Sequence, residues 1–148
     1  MKIEKYHLKS DHTFTYFEFI SIGSKGAIRK MIEFQETSIP NLYNLAFGDK
    51  NPETASIDDL AISNNGDTQK VLATVVDALY VFFDRNPEAL VYATGSTASR
   101  IRLYRIGITK FYKEMQDDFH LYGQIENKLY VFEPGVSYDG FLVQRKFK

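Results

Sequence analysis

The chain has 148 residues, a formal net charge of -1 and no cysteine. This length is typical of one globular domain, which predicts a single domain spanning residues 1–148. The small net charge excludes a global attraction to nucleic acid or to an anionic membrane, so binding of a polyanion would need a local patch. The lack of cysteine excludes disulfides, thiolate metal sites and a cysteine nucleophile.

The amino-terminal stretch MKIEKYHLKSDHTF has no apolar core of the kind found in signal peptides. No apolar run approaches the roughly 18 residues of a membrane span. We therefore expect a cytoplasmic protein with no membrane partner. Twelve Phe and ten Tyr residues favour strands, because aromatic side chains pack well on a half-buried pleated surface.

Four strands are predicted in the first part of the chain. HTFTYFEFISI carries apolar residues on both faces, which predicts a strand covered on both sides, and the turn GSKG joins it to a second strand in an antiparallel hairpin. NLYNLAFGD and SIDDLAI are interpreted as the third and fourth strands.

The second part mixes helices and strands. Apolar residues at helical spacing predict a helix to about Asp84, with Asp67 or Asn65 as its N-cap, and ALVYAT predicts a buried strand after it. A second helix is predicted from about Thr97 to Gln116, followed by three strands in FHLYGQIE, NKLYVFEP and YDGFLVQRKF. This order predicts an α+β fold, and a right-handed crossover in the middle would need a parallel neighbour that the sequence does not identify.

The stretch YATGSTASRIRLYRIG places a tight turn between the buried strand and the second helix. Free N–H groups and the positive end of the helix dipole favour anions at such a point. The predicted ligand-binding residues are Gly95, Ser96, Thr97, Ser99 and Arg100. Helix capping is the competing interpretation, because Ser and Thr commonly precede helices for that reason alone.

Arg100 differs from the other arginines of this stretch. Helical projection places Tyr104, Ile108, Phe111 and Met115 on the apolar face and sends Arg102 and Arg105 to the opposite, solvated face. Arg100 instead projects toward the apolar side, where a cation needs a carboxylate or a bound anion. We therefore expect either a ligand or a structural ion pair with an acidic residue such as Glu18 or Asp139.

Other chemistry finds little support in the sequence. His7, His12 and His120 are candidates for acid and base in metal-free RNA cleavage, but each lies near a strand end, where an exposed histidine needs no function. No metal-ligand spacing and no GxSxG motif occurs, so no metal site and no cofactor is predicted, and catalytic residues stay unassigned.

The motif GSTASRIRLY, with DALYVFFDRNPEALVYATGST before it and YDGFLVQRK far downstream, resembles an uncharacterised bacterial family described as a domain of unknown function. The resemblance covers the chain from about Asn41 onward. It implies a cytoplasmic bacterial protein and brings no activity or substrate with it. The positions that match the motif are Gly95, Ser96, Ser99, Arg100, Arg102 and Tyr104.

Three functions follow as hypotheses. The first is binding of a phosphate-bearing ligand, nucleotide or RNA, or of an acidic protein segment, at the strand-turn-helix from Thr94 to Arg105, supported by Glu18, Arg102 and Tyr104. The second is a metal-independent nuclease or phosphotransfer enzyme of a toxin or defence system, in which a histidine or Glu18 moves protons beside Arg100. The third is a protein-protein interaction module without a ligand, which could assemble as a homo-oligomer.

Overall fold

A computed structural model describes residues 4–51, 53–54, 57–58, 65–94 and 98–147. It confirms the predicted α+β class, and these residues form mostly antiparallel strands and three helices. The chain divides into two compact units. Unit 1 comprises Met1–Phe34 and Ala46–Arg85, and unit 2 comprises Gln35–Leu45 and Asn86–Lys148. The prediction of a single domain stays a prediction.

Unit 1 contains the amino-terminal strands. The described strands are β1 (Lys9–Ser10), β2 (Tyr16–Gly23), β3 (Gly26–Glu36), whose last two residues fall in unit 2, the second half of β4 (Leu42–Lys50) and β5 (Ile57–Asp58). Strands β2 and β3 pair antiparallel from Tyr16 opposite Glu33 to Gly23 opposite Gly26, which confirms the predicted hairpin. The short strand β1 was not predicted, and most of the predicted fourth strand lies outside the described residues.

The prediction that β2 is covered on both faces is wrong. Phe17, Phe19 and Ser21 are buried, whereas Ile20 and Ile22 on the other face are 48% and 67% exposed. An antiparallel sheet needs to bury only one face, and apolar residues on the second face do not by themselves bring a covering layer.

Helix α1 (Thr68–Arg85) confirms the predicted first helix. The carbonyl of Asp67 accepts the N–H of Val71, so Asp67 occupies the N-cap position. The buried face of the helix packs within unit 1, where the rings of Phe82 and Phe34 stack with centroids 4.2 Å apart. Among the described residues of the chain, no helix combines the length and apolar character required to cross a membrane.

Asn65, the alternative N-cap candidate, has a different role. Its side chain is 1% exposed and donates through Nδ2 to the carbonyl of Gly26 (2.9 Å) and to Oγ of Ser21 (3.1 Å). Its Oδ1 accepts the N–H of Lys25 (2.6 Å), and its carbonyl accepts the N–H of Ser24 (3.1 Å). Asn65 therefore links the β2–β3 turn to the start of α1.

Unit 2 contains the first half of β4 followed by β6 (Leu90–Ala93), β9 (Gly140–Arg145), β7 (Phe119–Ile125) and β8 (Lys128–Val131), in that spatial order. Strand β6 confirms the predicted strand, and the three predicted carboxyl-terminal strands are also present. The parallel neighbour that the sequence did not identify is β4, with Leu42 opposite Leu90. All other described pairings of this unit are antiparallel.

Two glycines of unit 2 make room for tyrosines. A Cβ atom at Gly123 would lie 2.3 Å from the ring of Tyr138, and one at Gly140 would lie 2.8 Å from the hydroxyl of Tyr92. Tyr138 is buried, and its hydroxyl accepts the N–H of Glu133 (3.0 Å). The first approach places Tyr138, in the loop that follows β8, against β7, and the second places Tyr92 of β6 against the start of β9.

The predicted second helix is two helices, α2 (Ala98–Lys110) and α3 (Tyr112–Asp118). The break occurs at Phe111, whose φ of -104° and ψ of 14° leave the helical region. The preceding turn contains Gly107 and two β-branched residues, Ile108 and Thr109, which have lower helix propensity than alanine. The apolar face was predicted correctly, because Tyr104, Ile108, Phe111 and Met115 are all buried.

Candidate functional site

The predicted site lies where β6 ends and α2 begins, within unit 2. Thr94 is exposed directly after β6, and Ser99 is exposed in the first turn of α2. Gly95, Ser96 and Thr97, which were predicted to form the anion-binding turn, lie outside the described residues. The described part of the site consists of the residues on either side of that turn.

Thr94 is tied to the loop that precedes β9. Its Oγ1 donates to the carbonyl of Asp139 over 3.1 Å. The carboxylate of Asp139 accepts the N–H of Glu126 over 2.8 Å, at the turn between β7 and β8. Asp139 therefore uses one carboxylate oxygen on this turn, and its predicted ion pair with Arg100 stays a prediction.

Arg100 is 4% exposed, and its side chain is engaged within the protein. This burial agrees with the predicted projection toward the apolar side of the helix, where Tyr104 is also buried. A cation buried beside the first turn opposes the helix dipole and requires compensation by polar contacts. Arg100 is thus enclosed by protein and not open to solvent.

The exposed side of α2 is basic. The helix carries four basic residues (Arg100, Arg102, Arg105 and Lys110) and no Asp or Glu. Ser99, Arg102 and Arg105 are spaced by three residues and share one side of the helix, which we call the α2 basic face. Arg102 is exposed as predicted, and the half-buried Arg105 donates from Nη1 to Oγ of Ser137 (3.2 Å).

His7 and Glu18 line one depression in unit 1, which we call the β2 depression. Its volume is about 400 Å³, and it is also lined by Tyr6, Lys9, Phe19, Ile20 and Arg29. This depression could not be predicted from the sequence, because it depends on where the amino-terminal segment leaves β2. Arg29 and Lys9 are therefore polar residues that the sequence analysis missed.

The other two histidines lie apart from these groups. His12 is exposed in the loop between β1 and β2 and does not line the β2 depression. His120 lines a smaller depression of unit 2, of about 180 Å³, beside Tyr112 and Lys146. In the part of the chain that the structure describes, no three His, Asp or Glu side chains come together as metal ligands.

Glu18, the predicted partner of Arg100, forms an ion pair with Lys50 over 2.6 Å in unit 1. The hydrogen bond from Lys50 is the main cause that holds the pKa of Glu18 below its ordinary value. Burial, followed by the negative charge of Glu18, raises the pKa of Tyr16 to about 12. Pairing of Glu18 with Arg100 stays a prediction.

A family model described as "Family of unknown function (DUF6934)" matches residues 2–146. The match begins well before Asn41, where the resemblance from sequence motifs started. No curated protein and no solved structure shows significant similarity to the chain. The family match covers nearly the whole sequence, and the chain therefore belongs to DUF6934, a family of unknown function.

Proposed function

We propose that the protein binds a phosphate-bearing ligand, a nucleotide or an RNA, on the α2 basic face. The observation that carries this proposal is the charge of the α2 basic face, where Arg102 and Arg105 lie on a helix without Asp or Glu, in a chain of net charge -1. A local concentration of cations attracts an anion even where the whole protein does not. The same face would also accept an acidic protein segment.

The contacts of the ligand would come from the exposed residues. The Ser99 hydroxyl lies in the first turn of α2, where the helix dipole favours negative charge, and the Arg102 guanidinium provides a planar pair of donors for phosphate oxygens. Arg105 is held by Ser137 one turn further along. In this proposal the buried Arg100 positions the start of the helix and does not itself reach solvent.

NMR titration of ¹⁵N-labelled protein with AMP and with a 5′-phosphorylated trinucleotide RNA tests the proposal. We expect amide shifts between Ser99 and Arg105, and binding at least tenfold weaker after Arg102→Glu. Lys128→Glu is the matched control, because Lys128 is an exposed cation of the same unit on β8. No shift in α2, or equal affinities of the Arg102→Glu and Lys128→Glu proteins, would contradict the proposal.

The nuclease and the ligand-free interaction module stay predictions, as do a cytoplasmic location and a homo-oligomeric state. For the nuclease, hydrolysis of the trinucleotide in the same samples is the direct measurement. Binding with no hydrolysis after prolonged incubation would support a binding protein and count against the enzyme.

A further inference from the structure

The β2 depression lies where the pairing of β1 with β2 stops. The last two pairs place Ser10 opposite Phe17 and Lys9 opposite Glu18. In the same register His7 would lie opposite Ile20, but among residues 4–51 the ladder does not continue beyond Lys9. His7 and Ile20 instead both line the depression.

Ile20 directs its main-chain N–H and C=O toward this depression. Tyr16 uses its carbonyl on the β1 side, where it accepts the N–H of Asp11, and Ile22 uses its N–H on that side, where it donates to the hydroxyl of Tyr6 (3.0 Å). Alternate residues of a strand present their N–H and C=O to the same neighbour. Ile20 is separated from both residues by an even number of positions, so its N–H and C=O point to the same side of β2.

The stretch of β2 that is left without a neighbouring strand on the β1 side, between Glu18 and Ile22, is one residue pair long. Glu18 is paired with Lys9 at one end. At the other end the Tyr6 hydroxyl contacts both the N–H and the carbonyl of Ile22, and it is held there by the Asp67 carboxylate (2.5 Å). One peptide group of a ligand therefore fits against β2 at Ile20, whereas a longer strand would have to displace Tyr6.

The side chains around Ile20 favour a ligand with a negative charge. Arg29 is the register partner of Ile20 on β3, and both Arg29 and Lys9 are exposed. Glu18 is the carboxylate in the lining, and its charge is offset by Lys50. The apolar part of the lining comes from the exposed Ile20 and from the rings of Tyr6 and Phe19, which stack with centroids 5.6 Å apart.

We propose that the β2 depression binds an acylated amino acid with a free carboxylate, the chemistry of a peptide carboxyl terminus. The amide of the ligand would exchange hydrogen bonds with the N–H and C=O of Ile20, as a strand residue does. Its carboxylate would contact Arg29 and Lys9, and its apolar side chain would contact the exposed side chain of Ile20. The volume of about 400 Å³ lies within the range of small-ligand sites.

The test is an NMR titration of the full chain with N-acetyl-alanyl-leucine and with the same compound carrying a carboxyl-terminal amide. We expect the Ile20 amide to shift with the acid. Because charge-assisted hydrogen bonds are lost, the amide compound should bind about tenfold to a hundredfold more weakly. Arg29→Gln should weaken the acid to a similar extent, and Arg29→Lys should restore part of the affinity.

Lys25→Gln is the control, because Lys25 is an exposed cation of the same hairpin that does not line the depression. A pentapeptide with the same last two residues distinguishes the two sources of the ligand. Equal or tighter binding would indicate the terminus of a longer chain, and binding of the short acid alone would indicate a free small molecule. An unshifted Ile20 amide, equal binding of acid and amide, or full affinity after Arg29→Gln would overturn the proposal.

Discussion

Replacement of Asn65 by Asp tests whether this one side chain holds the β2–β3 turn to the start of α1. The substitution preserves the shape of the side chain but replaces the Nδ2 donor by an oxygen. The Oδ1 contact with the N–H of Lys25 can persist, whereas the carbonyl of Gly26 and the hydroxyl of Ser21 lose their donor. The orientation of the amide is defined, because Lys25 offers an N–H and Gly26 offers a carbonyl.

A buried acceptor left without a donor costs about 1–3 kcal/mol. Two acceptors are affected in Asn65→Asp, so we expect the free energy of unfolding at pH 7 to fall by about 3 kcal/mol. For a chain of this length the melting temperature should fall by about 6–12 °C. The new carboxylate would also lie close to that of Asp67, which already accepts a hydrogen bond from Ser21 (2.5 Å).

The pH dependence provides a second measurement. Burial and the charge of Asp67 should raise the folded-state pKa of the introduced carboxyl above its unfolded value of about 3.9. As the pH falls from 7 toward 4, the carboxyl takes up a proton and becomes a donor again. The difference in unfolding free energy between the variant and the parent protein should therefore shrink with falling pH.

Urea unfolding followed by circular dichroism at pH 7 and pH 5 measures both effects. Asn51→Asp is the matched control. The Oδ1 of Asn51 accepts the N–H groups of Glu53 (2.8 Å) and Thr54 (3.2 Å), and an aspartate keeps this acceptor. That control should change stability by less than about 0.5 kcal/mol. If Asn65→Asp cost no more than Asn51→Asp, the role assigned to Asn65 would be refuted.

Three further predictions concern unit 1. Gly23→Ala should lower stability by about 1–3 kcal/mol, because its Cβ would lie 1.9 Å from the carbonyl oxygen of Asn65, and unchanged urea midpoints would contradict this contact. Glu18→Gln should lower the pKa of Tyr16 from about 12 toward 10.0, measured by ¹³Cζ NMR of labelled tyrosine, and a constant value would show that Glu18 has no influence. Because pairing with Lys50 lowers the pKa of Glu18, the pair stabilises the fold above pH about 4.3. This stabilisation is lost as the pH falls through the folded-state pKa of Glu18. From pH 5 to pH 3, the unfolding free energy of Lys50→Gln should therefore fall by about 0.2–1 kcal/mol less than that of the parent protein, as measured by urea unfolding. The same pH dependence in both proteins would count against the pair.

Elements governed by local periodicity could be predicted from the sequence. The spacing of apolar residues predicts the end of α1 to within a residue, and it correctly predicts that Tyr104 and Met115 are buried. The same reasoning did not detect the break at Phe111, because a short interruption leaves the apolar positions of both helices on the buried side. Periodicity reports which side of a helix is buried, not whether its axis is continuous.

Long-range contacts could not be predicted in this way. Asn65 resembled an N-cap because it precedes a helix, but its side-chain partners Ser21 and Gly26 are 44 and 39 positions away. The β2 depression likewise depends on the point where residues before Lys9 leave β2. At the candidate site, the helical projection correctly predicts the burial of Arg100. The hydrogen bond from the N–H of Glu126 to the Asp139 carboxylate could not be predicted, because it depends on the turn between β7 and β8.

The close approach of Gly123 to Tyr138 has an evolutionary consequence for DUF6934. Because a Cβ at position 123 would overlap the tyrosine ring, a larger residue there is compatible only with a smaller residue at position 138. The two positions should therefore change together among members of the family, and so should Gly140 and Tyr92. Members in which position 123 changes while Tyr138 stays fixed would be proteins whose loop after β8 follows a different path.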